Sequence, residues 1–260
     1  MRRLSFAGDD RLRVVEVAGA KWFDALSLWR PTDPDLVTTG AHEVACVLLG
    51  GTFDLVGGGT AWPARGARKD AFGGRPMAVF LPPATPFRTS NGQGELLLVA
   101  ARQPAAKDAP QGREALAHKP LLPLAGSGKS FDPNSGEWKP AETFPTAPES
   151  LPPRRFERIP GGDVVVERMF APDYKAATLS VDEAVVPAGG ALRLGDVPGR
   201  PMCDETLLFV RAPHGATVEH DGRSEAIAGD GVVLLPFDGR DAVVRAGAGP
   251  CFVVVSSGGK

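Results

Sequence analysis

The sequence is poor in the residues that most often carry catalysis and metal binding. Its 260 residues include four histidines, three cysteines and one tyrosine. No apolar run approaches the ~20 residues that a membrane-spanning helix needs, so we predict no contact with a membrane. Basic residues do not outnumber acidic ones, and the net charge is −2. A nucleic-acid-binding protein would carry a basic face, so we also predict no nucleic-acid partner.

The cysteines give no sign of a disulfide framework. Cys46, Cys203 and Cys251 are odd in number, lie far apart in the chain, and each sits in or beside an apolar stretch. This pattern is typical of reduced thiols in a protein core. The basic start of the chain is not followed by the apolar segment of a signal peptide, and we predict a cytoplasmic protein.

Glycine and proline are abundant, with 32 and 25 residues, and they separate short apolar runs rich in Val, Leu and Phe. Residues 43–49, 78–81, 206–210 and 232–235 are examples. Runs of four to eight such residues between turn residues are typical of β-strands. A helical period is weak everywhere, and the best short candidates for a helix are residues 20–29 and 112–118. The sequence therefore predicts a mainly β protein.

The two halves of the chain repeat the same order of strands and turns. Glu43 and Glu205 each open an apolar strand, and a later strand in each half ends at a proline, Pro82 or Pro236. A proline-rich stretch separates the halves and favours an extended surface arm. We predict an N-terminal barrel at residues 1–104, a connecting arm at 105–155 and a C-terminal barrel at 156–260.

Three segments of the first half carry a resemblance to a known family. Residues 43–51, 65–72 and 76–82 resemble the opening strand, the following arginine-containing segment and the strand-and-proline of tandem cupin proteins. More narrowly, they resemble the bacterial 5-deoxy-glucuronate isomerases of inositol catabolism and the related 5-keto-4-deoxyuronate isomerases. The second half of the chain matches the family only in the order and spacing of its strands and turns. The resemblance implies two jelly-roll barrels of the double-stranded β-helix type, a bicupin.

The resemblance also implies an aldose–ketose isomerisation of a sugar acid at a divalent metal ion in the C-terminal barrel. The family's ligands are a His-x-His pair, a later glutamate and a third histidine after the corner proline. In this sequence residues 189–196, where the His-x-His pair should stand, contain no histidine. Glu205 stands at the glutamate, and the third histidine falls on Arg240 or Asp241. Glu205 is then the only family-type ligand retained.

A zinc or manganese site needs three or four protein ligands, so we predict no metal cofactor unless the site is rebuilt from other residues. Arg193, Glu205, Arg240 and Asp241 are expected to converge where the metal would be. Arginine pairs well with a carboxylate, including that of a uronic-acid-like ligand. The same four side chains could equally form an internal salt-bridge network without a ligand.

Two further motifs favour ordinary structural roles. His214 and His220 lie six residues apart, with a bend expected at Gly215 between them and the hairpin signal Asp221-Gly222 after them, and we interpret them as surface or turn histidines. Residues 126–130 read Gly-Ser-Gly-Lys-Ser, but Pro123 stands where a phosphate-binding loop needs glycine, and no helix is expected to follow. A solvated loop is the simpler interpretation.

Three hypotheses about function stay open at this point. The chain is a sugar-acid isomerase of the 5-deoxy-glucuronate type, or a metal-free bicupin that binds a small acidic or sugar ligand without turnover. The third hypothesis is a structural homologue whose role is partner contact, through homodimerisation of the barrels. The family resemblance favours the first hypothesis, and the missing histidines favour the other two.

Overall fold

The computed structural model describes residues 1–31, 36–57, 60–74, 76–102, 129–132, 137–140, 154–159, 163–170 and 179–259. In these residues the regular structure consists of β-strands and a single 3-10 turn at Leu194–Asp196. The predicted mainly β class is confirmed. Among the described residues no helix has the length and apolarity to cross a bilayer.

An eight-stranded sheet forms the N-terminal barrel. Its strands follow the spatial order β2-β3-β4-β9-β6-β7, while β5 pairs with β9 and β8 pairs with β6. The bounds are β2 Ala7–Gly8, β3 Leu12–Glu16, β4 Phe23–Trp29, β5 Leu36–Thr38, β6 His42–Gly57, β7 Thr60–Arg68, β8 Ala78–Leu81 and β9 Pro86–Arg102.

A nine-stranded sheet forms the C-terminal barrel. It contains β1 Arg2–Leu4, β12 Arg154–Ile159, β13 Val164–Phe170, β14 Leu179–Val186, β15 Ala191–Arg193, β16 Glu205–His220, β17 Arg223–Pro236, β18 Val243–Ala246 and β19 Cys251–Gly258. The first strand of the chain, β1, pairs with β17, so the N-terminus contributes to the sheet of the other barrel.

One helix expected from the sequence is wrong, because residues 23–29 form strand β4. A central position between β3 and β9 satisfies the hydrogen bonds of this segment and buries Phe23 and Leu26, which overrides its weak helical period. The other candidate, residues 112–118, lies outside the described residues. Within the predicted arm the structure describes a hairpin of β10 (Lys129–Asp132) and β11 (Glu137–Pro140). Most of residues 105–155 lie outside the description, and the three domain boundaries stay predictions.

The internal repeat appears as matched strand pairing. In the N-terminal sheet β9 lies between β4 and β6, and in the C-terminal sheet β19 lies between β14 and β16. Strands β6 and β16 each have 16 residues. Glu43 in β6 is opposite Ala101, and Glu205 in β16 is opposite Gly258, so the two glutamates occupy equivalent positions.

The alternation of side chains along these strands separates three cores. Leu207 and Phe209 of β16 belong to a cluster that also takes side chains from the N-terminal sheet, including Val47. This cluster lies between the two sheets. Leu208 and Val210, on the opposite face of β16, belong to the interior of the C-terminal barrel. A third cluster, which includes the rings of Trp29, Phe53 and Phe87, fills part of the N-terminal barrel.

Buried charges join the barrels beside the shared core. The Arg68 guanidinium donates two hydrogen bonds to the Glu183 carboxylate, one of them from Nη1 over 2.9 Å, and both side chains are at most 3% exposed. Arg68 also donates to the carbonyl oxygens of Leu48 and Ala71. Burial raises the pKa of Glu183, although Arg68 acts in the opposite direction. Because both charged groups are buried away from water, removing either one would leave the other as an unpaired buried charge.

Candidate functional site

The interior of the N-terminal barrel opens into a cavity of about 290 Å³ at one end. The cavity extends along β4 from Asp24 to Trp29 and is also lined by the beginning of β6 and by residues near both ends of β9. For brevity we call it the N-terminal cup. Its lining residues are Leu12, Asp24, Ala25, Ser27, Trp29, Val37, Thr38, Thr39, His42, Val44, Leu81, Phe87, Leu98 and Ala100.

A carboxylate and an imidazole form the polar end of the N-terminal cup. Asp24 accepts a hydrogen bond from Arg102, and its Oδ2 lies 2.8 Å from His42 Nε2. His42 Nδ1 lies 3.3 Å from the carbonyl oxygen of Thr39, which fixes the plane of the ring. The hydrogen bond from Arg102 lowers the pKa of Asp24, and the charges of Arg102 and His42 act in the same direction. Asp24 is therefore an ionised acceptor at neutral pH.

Aromatic and aliphatic side chains form the floor of the cup. The rings of Trp29 and Phe87 are 6.2 Å apart and meet edge to face at 61°. Leu81 lies beside them and is 1% exposed. A cavity with hydrogen-bonding groups at one end and rings at the other suits a small ligand that has hydroxyls and an apolar face.

The equivalent interior of the C-terminal barrel is lined by closely packed apolar side chains. In the segment where the family resemblance places the His-x-His pair, Leu192 and Leu194 are completely buried and belong to the interior cluster. After the corner proline, the expected positions Arg240 and Asp241 are exposed, and the neighbouring residue that faces the interior is Ala242. Leucine and alanine offer no donor atom to a metal ion, so these positions do not fit the family's metal centre.

Three of the four residues proposed from the sequence, Glu205, Arg240 and Asp241, take separate partners, and the fourth, Arg193, is exposed. Arg193 lies between Leu192 and Leu194 in the chain and is exposed, because alternation turns it away from the interior. Glu205 lies on the face of β16 toward the N-terminal barrel. Its carboxylate accepts hydrogen bonds from the backbone N–H groups of Lys21 (2.6 Å) and Trp22 (2.8 Å).

Arg240 and Asp241 are exposed in the loop after β17. Arg240 Nε lies 2.8 Å from Asp238 Oδ2, and Asp241 Oδ1 lies 3.2 Å from His220 Nε2. The convergence expected from the sequence is therefore replaced by three separate contacts. A ligand-binding role for any of the four residues stays a prediction.

The two histidines at the hairpin differ from each other. His214 is exposed, as expected for a turn residue, whereas His220 is 6% exposed. His220 lies between the carboxylates of Asp221 and Asp241, at 3.4 and 3.2 Å. These three residues are the only group of potential metal ligands found among the described residues. Both carboxylates are exposed, and exposed acidic groups commonly occur without an ion.

The three cysteines are free and buried, which agrees with the prediction of core thiols. Burial raises the pKa of Cys46 to about 12 and that of Cys251 to about 11. A thiol with such a pKa is a poor nucleophile at neutral pH.

Two functional groups in the structure could not be recognised from the residues around them. Asp24 lies in a segment that resembled a short helix, so its position beside His42 depends on the pairing of β4 with β9. Arg200 lies between Gly199 and Pro201 in a loop and is 5% exposed. An arginine in a glycine- and proline-flanked loop ordinarily indicates a surface turn, so no local signal predicts its burial.

Comparison with solved structures defines the class. An IolB-like protein from Salmonella typhimurium superposes with a TM-score of 0.70 at 15% identity, covering 99% of this chain and 93% of that chain. AerE from Microcystis aeruginosa gives 0.57 at 7% identity, covering 99% and 97%. A single-residue variant of oxalate decarboxylase from Bacillus subtilis gives 0.55 at 14% identity, covering 98% and 75%. The chain has the bicupin jelly-roll fold.

A match to a family model falls in the N-terminal half. The model of the KduI/IolB family matches residues 23–118, which include β4 to β9 of the N-terminal barrel. The resemblance to the 5-deoxy-glucuronate isomerase family inferred from the sequence is confirmed. No curated protein matches the chain.

Proposed function

We propose that this protein is a bicupin that binds a small sugar-like ligand in its N-terminal cup and does not use the metal chemistry of the isomerases it resembles. The observation that carries the proposal is the cavity of about 290 Å³ with Asp24 and His42 at one end and Trp29 and Phe87 at the other. Pockets for small ligands begin at about 300 Å³, so the cup suits one monosaccharide-sized molecule.

The polar end of the cup favours hydroxyl groups over a second anion. Asp24 is ionised and 38% of its side chain is exposed, so it can accept hydrogen bonds from a ligand. A ligand carboxylate close to Asp24 would meet a like charge. A neutral sugar fits this end directly, and a sugar acid fits when its carboxylate lies away from Asp24. The aromatic floor can contact the apolar face of a sugar ring.

The proposal is tested by calorimetric titration with a panel of neutral monosaccharides and uronic acids. We expect at least one of them to bind to the unmodified protein. Ala100→Leu fills the cup and should abolish that binding, whereas Ala226→Leu, on an exposed position of β17, should leave it unchanged. Absence of binding by every member of the panel, or equal binding by both variants, would contradict the proposal.

Sugar-acid isomerisation is the second candidate, and the match to the KduI/IolB family favours it. Its test is metal analysis of the purified protein together with an assay on 5-deoxy-glucuronate. A stoichiometric divalent ion and turnover would replace the binding proposal with the isomerase. We expect neither, because Leu192, Leu194 and Ala242 supply no ligand atoms in the C-terminal barrel.

Homodimerisation remains a separate prediction about partners. It is checked by light scattering of the eluted protein during size-exclusion chromatography. A mass near 27.2 kDa would indicate a monomer and would contradict it.

A further inference from the structure

A buried arginine in the C-terminal barrel has hydrogen-bonding capacity that the protein leaves unused. The Arg200 side chain contacts only neutral groups through Nη2: Thr206 Oγ1 at 2.6 Å, Ser257 Oγ at 3.4 Å and Cys203 Sγ at 3.8 Å. Its Nε and Nη1 atoms are buried and have no hydrogen-bond partner among the described residues. These two atoms carry three N–H donors, and donors left unpaired in a dry environment are costly.

The charges around Arg200 leave one positive charge without a counterpart. The two carboxylates that act on it are Asp182 and Asp238. Asp182 Oδ1 already accepts a hydrogen bond of 2.7 Å from Arg168 Nε, and Asp238 Oδ2 lies 2.8 Å from Arg240 Nε. Burial lowers the pKa of Arg200, against the opposing influence of these acidic groups. Among the described residues, Arg168 and Arg240 each form an ion pair with one of these carboxylates, whereas Arg200 forms none.

Three hydroxyl-bearing residues lie on the interior face of the same barrel. Ser180, Ser257 and Thr206 lie opposite one another across β14, β19 and β16, on the face that carries the interior core. The Ser180 hydroxyl is buried and has no hydrogen-bond partner among the described residues. A guanidinium beside hydroxyls with unused donors is the kind of group that binds an anion.

The internal repeat places these residues at the counterpart of the N-terminal cup. Because Glu43 and Glu205 are equivalent, Val44 and Ala100 correspond to Thr206 and Ser257. Ala25, opposite Ala100, corresponds to Ser180, opposite Ser257. All three N-terminal counterparts line the cavity of about 290 Å³. The Arg200 guanidinium thus occupies the region of the C-terminal barrel that is open space in the N-terminal barrel.

We propose that the C-terminal barrel contains a second binding site, in which Arg200 and the hydroxyls of Ser180 and Ser257 bind a small monovalent carboxylate, while Thr206 holds the guanidinium in place and donates its own hydrogen to the Asp238 carbonyl oxygen. A monovalent anion balances the single unmatched charge, and its oxygens can accept from the unpaired N–H groups. Nε and Nη1 are closed off from solvent, so entry requires the loop that carries Arg200 to move outward. This site lies in the other barrel from the sugar cup and does not depend on it.

The site is tested by thermal denaturation in acetate and in formate, each exchanged for chloride at constant ionic strength. For a chain of this size, an anion present at roughly 100 times its Kd should raise Tm by about 5–10 °C. Arg200→Leu should abolish the rise. In chloride alone this variant should melt no lower than the unmodified protein, because leucine removes an unpaired buried charge.

Two buried serines give a matched pair of gentler variants. Ser180→Ala should weaken acetate binding about fivefold by removing one hydrogen bond. Ser256→Ala removes a hydroxyl that is equally buried and unpartnered but faces the N-terminal sheet, and it should leave the affinity unchanged. Ala100→Leu, which fills the N-terminal cup, should also leave it unchanged.

Three results would overturn the inference: equal Tm in chloride and carboxylate for the unmodified protein, equal effects of the two serine variants, or a large loss of stability of Arg200→Leu in chloride. The last result would make Arg200 a purely structural cation. If Arg200→Leu does not fold, the serine pair decides the question by itself.

Discussion

The two barrels have the same strand pairing but different interiors. The described interior of the N-terminal barrel holds the rings of Trp29, Phe53 and Phe87 and keeps a cavity at its polar end. In the part of the C-terminal barrel that the structure describes, the interior cluster has 21 buried residues, none of them aromatic. Small aliphatic side chains interdigitate closely, whereas large rings fill the floor of a barrel and leave room above small residues such as Ala25 and Ala100.

This difference between the two interiors shows that barrels with the same fold need not contain the same kind of site. The family match falls on the barrel that keeps an open cup, and the barrel to which the family's metal is assigned has apolar residues in its place. A common fold therefore does not carry a common chemistry, because the chemistry depends on a few inward-facing positions. Here those positions are Leu192, Leu194 and Ala242 in one barrel and Asp24 and His42 in the other.

The largest expected effect on stability concerns the buried Arg68–Glu183 ion pair between the two barrels. Arg68→Leu leaves the Glu183 carboxylate buried without its cation and should lower the free energy of unfolding by about 3–5 kcal/mol. Denaturant titration measures the loss. The double variant with Glu183→Leu should recover most of it. Arg245→Leu is the matched control, because its partner Glu219 is exposed, and it should cost less than about 1 kcal/mol. Equal losses of stability for Arg68→Leu and Arg245→Leu would show that the Arg68–Glu183 pair does not behave as a buried ion pair.

The same substitution in the two cups should have different costs. Ala242→Leu adds three carbon atoms to a filled interior and should destabilise the protein by about 1–3 kcal/mol. Ala100→Leu adds them to the open N-terminal cup and should change stability by less than about 1 kcal/mol. Chemical denaturation of both variants under one set of conditions measures the difference. Similar costs would indicate that the two interiors are equally packed.

A smaller effect concerns pH. The hydrogen bond from Arg102 lowers the pKa of Asp24 below its ordinary value of 3.8, so ionised Asp24 stabilises the folded state. This contribution is complete above the unfolded pKa and disappears as the pH falls through the lower folded value. Since Asp24 is partly exposed, we expect less than about 1 kcal/mol. The stability difference between the unmodified protein and Asp24→Asn should be constant above about pH 5 and shrink below it.

The C-terminal counterpart provides the control for this measurement. Ser180 does not titrate, so the difference between the unmodified protein and Ser180→Ala should show no such decline between pH 5 and pH 3, as a rough window. A parallel decline for both variants would indicate a general effect of acid rather than one located at Asp24.

The smallest expected signal comes from the interior thiols. With pKa values raised to about 12 for Cys46 and about 11 for Cys251, only about one thiol in 10³ or fewer is ionised at pH 8. Both should stay unreactive toward a disulfide reagent in the folded protein, when each is measured as the only cysteine of a variant. Faster reaction of Cys46 would show that the N-terminal cup admits solvent to the floor of the barrel.

Several features could be predicted from the residues alone. Short Val- and Leu-rich runs between glycine and proline gave the strands, and the repeated glutamate and proline positions gave the tandem arrangement. The absence of histidine from residues 189–196 indicated that the family's metal site is missing. These conclusions depend only on the composition of the chain and on the pattern of neighbouring residues, and both can be obtained from the sequence directly.

Other features could not be predicted, because both faces of the central strands are apolar. Leu207 and Leu208 are both completely buried, but one faces the other barrel and one faces the interior. Because neither face is polar, the pattern of residues indicates that the segment is a strand but does not indicate which of its faces points into the barrel. For the same reason Arg193 and Glu205 were assigned to the interior, from which the structure directs them away.

The sequence by itself determined that this chain forms two β barrels and that the second lacks the family's metal-binding histidines. Only the tertiary structure decided where polar groups meet: Asp24 with His42 at an open cup, and Arg200 beneath a closed one. Strand formation follows from residues that are neighbours in the chain. A binding site follows from strands brought together over long separations, such as β4 with β9 and β16 with β19, and sheet pairing alone fixes which side chains share an interior.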